Sequence, residues 1–262
     1  MPMRFVVAIL LMLAAFPVLA AANETVPVKR VIDGDTIVLE RAVYGSDRGR
    51  LGGNPAPELF SKGKEGGKWP LAEASKKALE DLVSGKRLKL VFGGRKKDRY
   101  GRLLAHLITE GGVWVQGEML KQGMAMVYSF PDNRSRVPEM LTLERQARKA
   151  GRGIWKLPFY ATRKTGEAQN HIGTFQAVEG RVLKAQKVKS VVYLNFGGDW
   201  RTDFTVMIKA RARRLFRKMG INPLSFQGRR VRVRGWIKKW NGPMIEATHP
   251  EQIEILAGKK AE

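Results

Sequence analysis

The stretch Val31-Ile32-Asp33-Gly34-Asp35-Thr36, with a strand-like run on each side, decides how the first half of this chain is read. Residues 28–32 and 36–41 are rich in β-branched side chains, and the Asp-Gly pair between them is a strong short-range hairpin signal. A third strand-like run follows at 48–53. Over 71–83 the period changes, and Leu71, Ala74, Ala78, Leu79 and Leu82 fall on one face of a helix. Leu88, Leu90 and Phe92 alternate as a strand, and 103–108 forms another. Helices then fit 115–122 and 139–150, the second opening behind Pro138.

Three strands, a helix and two strands are the order of a five-stranded OB-type barrel, so the fold expected is α+β, mainly β, with helices packed on the barrel. The order returns in the second half. Strands fit 175–185, 191–196 and 203–208, a basic helix fits 210–219 with Gly220 as its stop, and strands fit 230–237 and 244–247. In Arg230-Val231-Arg232-Val233-Arg234 the valines face inward and the arginines outward. A second, OB-like barrel is therefore expected over 175–257, followed by a tail at 258–262. Residues 157–174 lack a hydrophobic period and contain Pro158, Gly166, Asn170 and Gly173, which reads as a linker behind a first unit of 23–156. Residues 1–22 read as a signal peptide, with Arg4, an apolar run at 5–19 and Val18-Leu19-Ala20 or Ala20-Ala21-Ala22 for cleavage. An exported protein, periplasmic or secreted, is expected, with no stable membrane span after the leader. A leader retained as an anchor is the alternative.

Across 262 residues, 48 Lys+Arg stand against 24 Asp+Glu, a net charge of +24. Such a surplus points to a polyanionic partner, because each phosphate contacted releases condensed counterions. Nucleic acid fits, and so do acidic envelope polymers. With no cysteine, disulfides, thiol catalysis and thiolate-held zinc are excluded. The three histidines, His106, His171 and His249, are far apart, so a metal would have to be held by oxygen.

Three clusters carry candidate chemistry. Asp33-Gly34-Asp35 offers two carboxylates on one turn, suited to a hard cation and equally to an ordinary hairpin. Arg50-Leu51-Gly52-Gly53-Asn54-Pro55-Ala56-Pro57-Glu58 joins an arginine at a strand end to a proline-stiffened loop ending in a carboxylate. Residues 93–102, GGRKKDRYGR, hold Arg95, Lys96, Lys97, Arg99, Tyr100 and Arg102. That run is a solvated loop or a track for phosphates with one stacking ring.

Together, VIDGDT at 31–36, the arginine-to-PE segment at 50–58, DRYGR at 98–102 and LERQARKAGRGIW at 143–155 resemble the staphylococcal nuclease (thermonuclease-like) family. The resemblance implies a calcium-dependent phosphodiesterase that cleaves DNA or RNA on the 5′ side of phosphorus, with little sequence preference. It implies that Asp35 binds Ca2+ with Asp33 supporting from behind, and that Ala56 contributes its backbone. Glu58 would act as general base, and Arg50 and Arg102 would pair with the phosphate, since a guanidinium fork matches two phosphate oxygens. Tyr128 and Phe130 fall where the family holds the nucleotide. One departure stands out: the family's second calcium aspartate falls at Pro55, with Asn54 the nearest substitute ligand. A catalytically impaired nucleic-acid-binding protein is the alternative this departure favours. In the second unit, Arg230, Arg232, Arg234 and Trp236, with Tyr193, Trp200 and Trp240 nearby, suit single-stranded nucleic acid. No protein partner is indicated.

Overall fold

The computed structural model describes residues 25–53, 55–57 and 69–256. The leader expected at 1–22 and the tail at 258–262 lie outside the described residues, as do Asn54 and Glu58.

In the first unit β1 (Thr25–Asp33), β2 (Thr36–Val43), β3 (Ser46–Leu51), β4 (Arg87–Val91) and β5 (Leu103–Thr109) close a barrel in the order β1-β2-β3-β5-β4, with β4 returning to β1. Helices α1 (Ala72–Val83), α2 (Val115–Lys121) and α3 (Val137–Lys149) pack on it. This is the expected five-stranded barrel. The strand expected at 48–53 begins earlier, because Tyr44 and Gly45 both hold positive φ, 48° and 71°, and turn Val43 back onto Ser46. A tyrosine in the left-handed region is no ordinary turn signal, so the sequence hid this hairpin. The turn after β1 is tight for a second reason. A Cβ on Gly34 would lie 2.1 Å from Ser75 Oγ of α1, so only glycine lets the helix come this close. Inside, Val28, Val31, Ile37, Leu39 and Leu51 cluster with Leu79 of α1, Met119 of α2 and Met140 of α3. Each such side chain, fully buried, contributes about 1.5–3 kcal/mol.

The second unit carries more strands than expected. Its sheet contains β6 (Arg163–Lys164), β7 (Phe175–Arg181), β8 (Lys184–Val188), β9 (Val191–Asn195), β10 (Thr205–Ile208), β11 (Arg230–Trp240), β12 (Gly242–Glu246) and β13 (Ile253–Ile255), with α4 at Ala210–Lys218. The order is β6-β7-β11-β12-β10-β9-β8, with β13 on β11. The single strand expected at 175–185 is two strands. Val182 N donates to Arg229 O and Leu183 N to Asn195 O, both at 2.9 Å, so the chain changes hydrogen-bonding neighbours within one residue. If β7 and β8 are taken as halves of one strand, the sheet follows the pairing order of the first barrel. Even the parallel contact recurs, β10 beside β12 matching β3 beside β5. Phe204, Phe216, Val231, Val233, Ile237 and Ile245 are among the residues of its own core.

Residues 157–174 are not a slack tether. Phe159 and Tyr160 pack on Trp69, Tyr160 Oη donates to Pro70 O at 2.7 Å, and β6 then joins the second sheet beside β7. The units also meet through β11 and α3. Arg234, expected to face outward, is 3% exposed: its two terminal nitrogens grip both oxygens of Glu144 at 3.0 Å, and it also pairs with Glu254. The outward face of β11 is covered by the first unit, which turns a surface position into an interior one. Burial works against the charge on Arg234, and Glu144 and Glu254 more than offset it, holding the guanidinium above its usual range. Arg148 adds a second cation on Glu144 at 2.5 Å, and Arg134 pairs with Glu251 at 2.8 Å.

Beside this network His249 is fully buried, its Nε2 2.7 Å from Ser129 Oγ across the boundary. Burial lowers its pKa to about 4, helped by Arg134 and Arg234 and opposed by Glu251. The folded state therefore prefers the neutral ring, and this stability is complete above the unfolded value of about 6.5. It falls with the pH toward 4, as the unfolded chain takes up the proton first. Glu144, held below the usual carboxylate range by its arginines despite its burial, loses its contribution only at lower pH. Urea unfolding from pH 7 to 4 should show stability falling by roughly 3 kcal/mol more in the parent than in His249→Gln. Parallel profiles would mean that this ring titrates normally in the fold.

Candidate active site

The hairpin turn between β1 and β2 places Asp35 at the mouth of the first barrel, where its side chain is almost wholly buried. Thr36 stands opposite Arg50 in the β2–β3 ladder, and Leu51 N donates to Asp35 O at 2.8 Å. The register thus delivers Arg50 to Asp35, and Arg50 Nη2 lies 2.8 Å from Asp35 Oδ2. The other oxygen, Oδ1, accepts the Thr36 hydroxyl at 2.7 Å. Asp33 does what a turn carboxylate does, accepting Asp35 N at 3.0 Å, which braces Asp35 from behind.

The loop after β3 is fastened from two sides. Tyr128 N donates to Gly53 O at 2.9 Å and Met126 N to Pro55 O at 3.1 Å. Ala56 is buried, and its N–H reaches toward Asp35 Oδ2 at 3.4 Å. Its backbone therefore points an N–H, a donor, at the carboxylate. Pro55 presents its carbonyl inward to Met126, and a proline ring has no oxygen to offer a cation. The segment 126–128 is itself held from beneath, where Val127 N donates to Glu144 Oε2 at 2.6 Å.

Among the described residues no group of three or more His, Cys, Asp or Glu is clustered as metal ligands. Calcium takes six to eight oxygens. Asp35 is of the right chemistry, a buried carboxylate at the barrel mouth, but its described surroundings are sparse in further side-chain oxygens. Asp35 is the residue that would hold the ion, with Asp33 kept back by its turn.

Arg102 arrives from the next strand. Gly49 pairs with Leu103 and Arg50 with Leu104 in the parallel β3–β5 ladder, so Arg50 and Arg102 leave adjacent strands about 8 Å apart at the backbone. Arg50 shares its face of the sheet with Leu104, and Arg102 stands two residues before Leu104, just ahead of β5. Arg102 is oriented by Asp98, whose Oδ2 accepts Nε at 2.8 Å and Nη2 at 2.7 Å. Burial would raise the Asp98 carboxyl, but the Arg102 and Tyr100 N–H groups and the guanidinium hold it below its usual range. The rest of the basic loop is partly engaged: Arg95 pairs with Asp132 at 3.3 Å, Lys96 lies over Tyr44 and Arg99 over Tyr100. Lys97 forms a β-bridge with Leu103, and Tyr100 is 67% exposed.

Tyr128 and Phe130 do not stand alone. Their rings meet edge to face at 4.8 Å, Tyr128 meets Phe175 of the second unit at 4.8 Å, and its hydroxyl accepts Trp236 Nε1 at 3.3 Å. Of the second-unit arginines expected to contact nucleic acid, Arg234 is a buried tie. Arg232 is mostly buried and pairs with Glu179 at 2.5 Å, and the exposed Arg230 meets the same carboxylate at 3.3 Å. A strip of cations read from alternation is thus largely neutralised. Glu144 and Thr36 escaped the sequence reading, although Glu144 lies on the inward stripe of α3 with Val137, Met140, Leu141 and Ala147.

Comparison with known proteins bears on what this arrangement is. The chain is 33% identical over 156 residues to an "Uncharacterized endonuclease" of Escherichia coli, covering 58% of itself and 90% of that protein. The chain belongs to the staphylococcal nuclease homologue family. The family match runs over residues 49–157, which starts within β3, continues past α3 and includes both candidate arginines. Another staphylococcal nuclease relative, Thermonuclease of Staphylococcus intermedius, is 31% identical over 140 residues, 51% of this chain and 77% of that protein. Endonuclease YhcR of Bacillus subtilis (strain 168) is 34% identical over 134 residues, which is 49% of this chain but 11% of YhcR. The chain thus spans only a small part of that longer relative. No helix among the described residues is long and apolar enough to cross a membrane.

Proposed function

We propose that this protein is an exported nuclease that hydrolyses phosphodiester bonds of DNA or RNA with little sequence preference. The observation that carries the reading is the pairing of buried Asp35 with the partly exposed Arg50 at the barrel mouth, with Arg102 just ahead of the adjacent strand, in a chain related to proteins named endonuclease and thermonuclease. Arg50 and Arg102 bind two oxygens of the scissile phosphate, each through a planar fork of N–H donors. They stabilise charge most where it grows, on the equatorial oxygens during attack. Glu58 takes the proton of the attacking water. The bond from phosphorus to the 5′ oxygen breaks, that oxygen takes up a proton from solvent water, and a 3′-phosphate remains. Bound calcium would add Lewis-acid neutralisation of the same phosphate. Because these contacts go to phosphate, base identity matters little. The apolar run at 5–19 and the alanines at 20–22 support export.

A second reading is favoured by Pro55: a protein that holds nucleic acid and no longer cuts it. One experiment separates the two. Purified protein is incubated with single-stranded DNA across a calcium titration and with chelator. Cleavage should require calcium, at a concentration lowered by Pro55→Asp, which restores a carboxylate beside Asp35. Binding without calcium-dependent cleavage would leave only the second reading.

A further inference from the structure

Beyond Trp236, which still touches Tyr128, the outward face of β11 emerges from under the first unit and continues as Lys238 and Trp240. The sheet registers build a row across this open half: Lys238 stands opposite Met244, Met244 opposite Thr205, Thr205 opposite Asn195 and Asn195 opposite Lys184. Directly opposed residues share a face, so a lysine marks each end of the row. Over it lies a groove of about 290 Å³ walled by Tyr193, Trp200 and Trp240, with the amides of Gln186, Asn195 and Asn241 among them.

Trp200 is 52% exposed and Trp240 64%. Two large rings left in water on one groove mark a surface built to be covered. None of the lining residues carries a negative charge. Nearby carboxylates are occupied: Asp199 and Asp203 cap their own loop, taking Arg201 N at 3.0 Å and Asp199 N at 2.8 Å. Glu246 is paired with Lys209 at 3.1 Å and Lys238 at 3.7 Å. Flat rings, amide edges and the lysine at the Lys184 end of the row match the three parts of a nucleotide strand: base face, base edge and phosphate. A neutral glycan would use the tryptophans without the lysines, and an acidic polymer without bases would do the reverse.

We propose that this groove is a second nucleic-acid site, in which unstacked bases of a single strand lie on Trp200 and Trp240. It is separate from the Asp35–Arg50 site, and it rests on the nuclease reading only for the class of ligand. The test uses the full chain with chelator present, so that cleavage plays no part and an inactive barrel leaves the result readable. Binding of a fluorescein-labelled oligothymidylate is compared by anisotropy with an abasic strand of equal length. The parent should prefer the oligothymidylate. Trp200→Ala and Trp240→Ala should each weaken that binding about fivefold to a hundredfold while leaving the abasic strand unchanged. Both rings are at the surface, and circular dichroism checks that each variant is folded. Variants that bind oligothymidylate like the parent would overturn the assignment. So would a parent that binds both strands equally, which would make the groove a general polyanion surface.

Discussion

Arg50→Ala should lower the rate of phosphodiester hydrolysis about a hundredfold to a thousandfold, the loss seen when one preorganised donor is removed from a charged transition state. Two effects combine at this position. The fork that meets the phosphate disappears, and the nearly buried Asp35 loses the cation 2.8 Å from its Oδ2. Arg50→Lys separates them, because it keeps the charge beside Asp35 but cannot offer two parallel N–H groups. Lysine should therefore restore stability toward the parent and leave most of the loss in kcat. The measurement is a single-turnover rate on single-stranded DNA at saturating calcium, with urea midpoints in parallel. An Arg50→Ala protein that cuts within a few-fold of the parent would place the reacting phosphate elsewhere.

Arg234→Leu should destabilise the whole chain by about 3–5 kcal/mol, the usual effect of stripping one partner from a buried ionic cluster. Glu144 keeps Arg148, and Glu254 keeps Arg145 at 3.0 Å, which argues for the lower part of that range. Adding Glu144→Gln to Arg234→Leu should recover part of the loss. The amide still accepts the Val127 N–H and no longer needs a counter-charge. Urea denaturation of the two variants and the parent decides it, with both units followed by separate probes. A loss below about 1 kcal/mol would match an exposed pair and would mean that α3 and β11 do not meet in solution.

Much of the first barrel is legible in the sequence because it is written in local code. The Asp33-Gly34 turn, the alternation in β4 and the apolar stripe of α1 each declare their element, and their order declares the barrel. The meeting of Asp35 and Arg50 follows from the hairpin register once the strands are placed. What stayed hidden depends on contacts between distant segments. Alternation correctly separated the valines of β11 from its arginines, yet it has no means of saying that α3 would lie across the arginine side. The packing of the linker was hidden for the same reason: 157–174 has no period because its residues make 3-10 turns and one short strand, the first turn held by the first unit and the rest by the second. Glu144 was detectable in principle. A charged residue on the inward stripe of a helix, four before an arginine, calls for a buried partner, and the distant Arg234 answers it.

The Arg234–Glu144 tie also bears on where this protein can be divided. The family match ends at residue 157, just short of the segment that leads into the second sheet. Cut there, the remaining piece would expose the α3 surface that β11 covers and would leave Glu144 with one arginine instead of two. That same carboxylate supports the backbone beneath Gly53 and Pro55. The first unit of this chain thus shares one of its buried charges with the second: carried to another host protein, it would bring Glu144 with Arg148 alone to balance it.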